Sequence, residues 1–161
     1  MKTNNAAGSK FQKGRKGTEI AALIRSEIRA AAKADGPLRG CKTSVRFAWA
    51  THSMSIAIAI ESAPVSIRNP AWVKANASNP HVYQEGVSRE SAAAIAMLDE
   101  CNRIADQYNR HDSDSQSDYF NDEFFCRVSF AHDLEKAHDA AILCEHPACC
   151  GCADCETRYA A

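Results

Sequence analysis

Five cysteines and a histidine crowd one short stretch of the chain: Cys144, His146, Cys149, Cys150, Cys152 and Cys155. Thiolate and imidazole are the ligands that zinc takes in structural sites, where four of them close a tetrahedron. Cys149, Cys152 and Cys155 form two overlapping C-x-x-C units, a spacing that turns both sulfurs of each unit toward one ion. Cys144 supplies the fourth ligand if Pro147 turns the chain back, and Gly151 lets the backbone approach closely. His146 or Cys150 can replace one of the four. The expectation is a structural zinc on Cys144, Cys149, Cys152 and Cys155. An iron–sulfur cluster is the alternative metal, but the run lacks the cysteine followed by proline that completes a ferredoxin set. Unliganded or oxidised thiols are the third reading. A thioredoxin-like role needs C-x-x-C opening a helix after a strand, and this segment follows a helix instead.

No catalytic machinery is read elsewhere. Cys126 alternates inward with Phe124 and Val128, as an inert core thiol would. His138 falls on an apolar helical stripe, where a satisfied core histidine is expected. There is no Gly-rich phosphate loop, nucleophile elbow or paired metal-binding histidine motif. Asp112, Asp114, Gln116, Asp118 and Glu123 match positions of a calcium loop, but Ser117 stands where glycine is required. A capped acidic turn is the expectation there. The chain is therefore read as non-enzymatic, acting by binding.

Charge singles out a second group. Arg25, Arg29 and Lys33 stand at i, i+4 and i+8, a basic row beside the apolar stripe of a helix. Such a row either faces solvent or grips an acidic partner. Trp72 and Tyr83, in the loop-like residues 62–87, are further candidates for touching a partner, although lids over a core use the same residues.

The elements that must position these groups read as α-β-β-α-β-α. Ile20, Leu23, Ile24, Ile28, Ala31 and Ala32 recur at helical spacing after Gly17 or Thr18, until Gly36 and Pro37 stop the helix. Val45, Phe47 and Trp49, then Met54, Ile56, Ile58 and Ile60, alternate around a short polar break, which predicts an antiparallel hairpin with one face buried. Asn69 caps a short helix with Pro70 at its first position. Ser88 opens a helix burying Ala94, Met97, Leu98, Cys101, Ile104, Ala105 and Tyr108. A third strand follows at residues 124–130, and a last helix starts at Asp133 with Leu134, Ala137, His138, Ala141 and Ile142 inward. The fold class expected is α+β: a small antiparallel sheet of about three strands with helices packed on it. Residues 1–17 read as a disordered basic arm, 18–143 as the core domain, and 144–161 as a Cys-rich zinc tail.

Three segments taken together carry a resemblance. They are Ile20-Ala-Ala-Leu-Ile-Arg-Ser-Glu-Ile-Arg-Ala-Ala, the hairpin beginning Thr43-Ser-Val-Arg-Phe, and Ser113-Asp-Ser-Gln-Ser-Asp-Tyr-Phe-Asn before a Phe-rich strand. In that order, over residues 18–130, they resemble the twenty-ninth of the large-polyvalent-protein-associated domains of phages and conjugative elements. The resemblance implies a mobile-element accessory domain without catalytic residues. It points to a binding protein that blocks a host defence complex such as a CRISPR or restriction system. A zinc-containing nucleic-acid-binding module is the alternative.

Bulk properties narrow the field. With 19 basic and 20 acidic residues the net charge is -1, which excludes a wholly basic nucleic-acid binder and a strongly acidic DNA mimic. The first 17 residues nonetheless carry Lys2, Lys10, Lys13, Arg15 and Lys16 and no acid. No apolar run approaches the roughly 20 residues that span a bilayer, and the amino terminus has no apolar signal core. The expectation is a cytoplasmic protein without a membrane partner, where reduced thiols favour metal over disulfides.

Overall fold

The computed structural model describes residues 4–50, 53–78, 86–113 and 122–144. They form nine elements: β1 (Asn4–Ala7), α1 (Gly17–Ala31), β2 (Lys42–Ala50), β3 (Ser53–Ser62), α2 (Pro70–Ser78), α3 (Ala92–Asp106), β4 (Arg110–Ser113), β5 (Phe125–Phe130) and α4 (His132–Leu143). The class is α+β, and the helix–strand order α-β-β-α-β-α holds for the elements foreseen. Two compact units share the chain: Met1–Pro64 with Ala96–Phe130, and Val65–Ile95 with Ala131–Ala161.

In the first unit the period-two pattern forms the predicted hairpin, with Val45 opposite Ile58, Phe47 opposite Ile56 and Trp49 opposite Met54. One face buries Val45, Ile56, Ile58 and Ile60 with Ile20, Ile24 and Ile28 of α1 and Met97, Cys101 and Ile104 of α3. Each such side chain contributes about 1.5–3 kcal/mol by leaving water. The third strand departs from expectation: β5 joins β3 in parallel, so the sheet is mixed, ordered β2-β3-β5, rather than antiparallel. Alternation fixes which side chains share a face but not strand direction. A parallel partner needs a long crossover, and residues 63–124 supply it.

The amino-terminal arm also departs from the disordered reading. β1 pairs antiparallel with β4, Ala7 lying opposite Arg110. The Gly8 amide donates to the Asn109 carbonyl and the Lys10 amide to that of Gln107. A Cβ on Gly8 would stand 2.1 Å from the Asp106 carbonyl oxygen, so only glycine fits this approach. Lys10 then reaches Glu27 of α1 at 2.6 Å.

In the second unit, Asn69 caps α2 as foreseen, its side-chain oxygen accepting from the Ala71 amide. The cap of α3 is Ser91 rather than Ser88: its hydroxyl accepts from the Ala94 amide, while Glu90 bridges to Arg68. α4 packs on α2 but buries no residue fully, and Ala137 and Ala141, expected inward, are exposed. α4 half-buries the polar Glu135, His138 and Asp139 alongside Leu134, Ile142 and Leu143.

A candidate basic seam along the first helix

α1 lies along β2, the edge strand of the three-stranded sheet. Thr18, Ala22, Arg25, Arg29 and Lys33 follow one another at spacings of four, three, four and four, so they share one stripe of the helix and its C-terminal turn. No carboxylate interrupts that stripe. Glu19 and Glu27 project from other sides, and Glu27 is engaged by Lys10 and by the Tyr108 hydroxyl, which donates to it.

Three predicted cations take different positions along the stripe. Arg25 is half-buried, and its guanidinium donates to the Val45 carbonyl oxygen at 2.6 Å. It satisfies an acceptor on the free edge of β2 and so belongs to the fold as much as to any partner site. Arg29 and Lys33 are exposed, and among the described residues neither has an ion-pair or hydrogen-bond partner. They line a cleft of about 360 Å³ together with Ala32, Gly40, Cys41, Lys42 and Thr43. Lys42 is the member that the sequence did not reveal. After α1 the Gly40 amide returns to the Ala32 carbonyl, and its φ of 75° is a left-handed turn that sets the start of β2 beside the helix end. The cleft has three cations, an apolar floor and, among the described residues, no carboxylate in its lining. Of the nearby acids, Asp35 is held by Arg39 at 2.6 Å, and Glu61 makes no ion pair with Lys42. Three unneutralised cations around one concavity attract an anion with several oxygens, such as a phosphodiester.

At the other end of the same seam lies a second concavity of about 410 Å³, lined by Gly14, Arg15, Lys16, Gly17, Thr18, Phe47, Trp49 and Met54. The hairpin reading expected Trp49 to be buried with Phe47, yet it is 65% exposed. α1 begins at Gly17, directly against Phe47: a Cβ on Gly17 would come within 2.2 Å of the ring. The strand runs two residues past that point, so the Trp49–Met54 pair overhangs the start of the helix.

The second unit gathers charge in the opposite manner. Arg68 is 1% exposed, with Nε 2.9 Å from Asp139 Oδ1 and Nη1 at 3.4 Å from Glu135 and 3.8 Å from Glu90. The Nε–Oδ1 pair is an ion pair by distance, although its alignment falls outside hydrogen-bond geometry. Trp72, proposed as a partner contact, is half-buried with its ring 5.9 Å from Arg68 and 5.5 Å from Arg89. It serves as a cation–π surface within this unit. His138 of α4 is held below its ordinary pKa, first by burial and then by the charge of Arg68.

Burial pushes Cys101 up to about 12, with Cys41 and Cys126 adding to it, and Cys126 up to about 11. These are core thiols kept protonated, as expected of Cys101 and Cys126. Cys144 is half-buried just past α4, its amide donating to the Ala140 carbonyl. His146, Cys149, Cys150, Cys152, Cys155 and Tyr83 lie outside the described residues, as does most of the acidic turn from Asp114 to Asn121. Among the described residues no group of three or more metal-type ligands converges, and no helix is long and apolar enough to cross a membrane.

No family model matches the chain, and no match was found among curated proteins or solved structures.

Proposed function

We propose that the chain is a non-catalytic binding protein whose α1–β2 seam holds the phosphate backbone of a nucleic acid. The observation that carries this reading is the cleft around Arg29, Lys33 and Lys42: three neighbouring cations with, among the described residues, no internal partner and no carboxylate in the lining. The near-neutral whole chain does not oppose this, because a local cationic stripe sets the field a ligand meets. The test is binding of fluorescent single-stranded and duplex oligonucleotides across a salt series. With three to five phosphates contacted, log K falls against log salt with a slope of about -2 to -3.5 for single strands. No binding to either form at low salt ends the reading.

A second reading, docking onto an acidic protein surface, draws on the outer face of the sheet. Arg46, Ala57 and Arg127 stand in one cross-strand row there, beside Ala48, Ser55 and a 52%-exposed Phe125. This is the form that a phage or mobile-element inhibitor of a host defence complex would take. Arg46→Glu with Arg127→Glu abolishes capture of a defence complex under this reading and leaves oligonucleotide binding at the seam unchanged. Zinc on Cys144, Cys149, Cys152 and Cys155 is a separate proposal. Elemental analysis of protein purified without added zinc tests it, one equivalent being expected and none being contrary.

A further inference from the structure

We propose that the concavity around Trp49 receives an unpaired nucleobase, which makes the seam selective for single-stranded nucleic acid; this rests on the phosphate-binding reading above and extends it. An exposed tryptophan alone carries nothing, since strand ends near hairpin turns often display one. Here three observations coincide. The indole of Trp49 is 65% exposed because α1 starts too late to cover it, while Phe47 and Met54 form an apolar wall beside it. The volume of about 410 Å³ lies in the range of pockets that take small organic ligands, large enough for one base. The rim is cationic: Lys16 is exposed and without a partner among the described residues. Arg15 beside it is oriented by its bonds to the Lys10 carbonyl and the Gln12 side chain.

Charge and shape together choose the occupant. An apolar plate with a basic rim fits a flat aromatic ring joined to a phosphate, and the other half of that ligand's chemistry lies along the same seam. The stripe from Thr18 to Lys33 connects this concavity to the Arg29–Lys33–Lys42 cleft, and the 15-residue α1 spans about 22 Å between them. A strand of a few nucleotides covers that length. A duplex keeps its bases stacked on one another and cannot offer a free face to Trp49, so only an unpaired strand uses both ends of the seam.

The experiment uses the full chain with Trp72→Phe, which leaves Trp49 as the only tryptophan. Short oligothymidylate is titrated while indole fluorescence and, separately, anisotropy of a labelled strand are followed. Saturable quenching of Trp49 is expected, with midpoints that agree between the two signals. Trp49→Ala weakens single-strand binding by about five- to a hundredfold, Trp49→Phe restores most of it, and duplex binding is unchanged in both. If the oligonucleotide binds with unchanged fluorescence and Trp49→Ala binds as tightly as its parent, the stacking site is overturned while the phosphate reading stands. If neither single strand nor duplex binds at low salt, both fall. Matching far-ultraviolet circular dichroism of the variants excludes unfolding as the cause.

Discussion

Two groups of arginines and their neighbours show what the same side chain does in different surroundings. In the second unit Arg68 is sealed from water, and Glu90, Glu135 and Asp139 gather around it with the Trp72 ring nearby. In the first unit Arg29 and Lys33 are exposed beside Lys42, and nothing among the described residues neutralises them. A buried guanidinium must be matched by carboxylates, or its desolvation defeats the fold. Exposed cations need no match, so their alignment without one costs little and leaves their charge available to a ligand. The Arg68 cluster is accordingly a staple of its unit, while the α1–β2 cleft keeps its charge for the ligand we propose.

That contrast can be broken most severely at Arg68. Arg68→Ala leaves Asp139 without its cation and Glu135 with Arg89 alone, and is expected to cost about 3–5 kcal/mol in chemical denaturation. A loss below about 1 kcal/mol removes the staple reading. The opposite pattern is expected at the seam. Arg29→Glu, Lys33→Glu and Lys42→Glu together weaken oligonucleotide binding by about a hundredfold and flatten the salt slope by about two units. Each alone changes stability by no more than about 0.5 kcal/mol, because each is exposed. Equal losses of stability in both regions would erase the distinction between them.

Proton linkage sharpens the comparison further, because the core of the first unit carries groups that favour their neutral form. Burial and the bond to Glu27 push Tyr108 up to about 12, and burial pushes Cys101 up to about 12 and Cys126 up to about 11. A raised folded-state value means the folded protein holds its proton longer. This stabilisation is complete below the unfolded values, 9.0 for thiols and 10.0 for tyrosine, and fades as pH climbs through the folded ones. Urea midpoints should therefore drop steadily from pH 9 to 11, and a flat profile would contradict the burial of these groups. Glu27 acts at the other end of the scale. Burial alone would raise its pKa, but the bonds from Lys10 and Tyr108 outweigh that and hold it below the ordinary carboxylate value. Its stabilisation is present above the unfolded value and is lost as pH falls through the folded one. A local effect is expected at a helix cap, where Ser91→Ala costs about 1 kcal/mol by orphaning the Ala94 amide.

Local periodicity made part of this legible. Helical spacing placed Arg25, Arg29 and Lys33 on one stripe, and alternation gave the β2–β3 hairpin, because both depend only on neighbours along the chain. Lys42 escaped notice because its place beside Lys33 depends on the left-handed turn at Gly40. Trp49 satisfied the alternation and was expected to be buried. Its exposure follows from where α1 starts relative to a strand that is distant in sequence. Arg68 has no signature at all: one arginine in a polar loop becomes a core residue only when α4 and the Glu90 bridge surround it. Strand direction was likewise hidden in β5, since parallel and antiparallel partners share the same side-chain period.

Under the proposed function, ligand meets the first unit along the α1–β2 seam. Backbone amide chemical shifts of isotope-labelled protein, followed as short oligothymidylate is added at low salt, address it residue by residue. Shifts are expected to concentrate at residues 15–18, 29–33, 40–43 and 47–54. Shifts clustered around Arg68, Trp72 and α4 instead, or none anywhere, would contradict it.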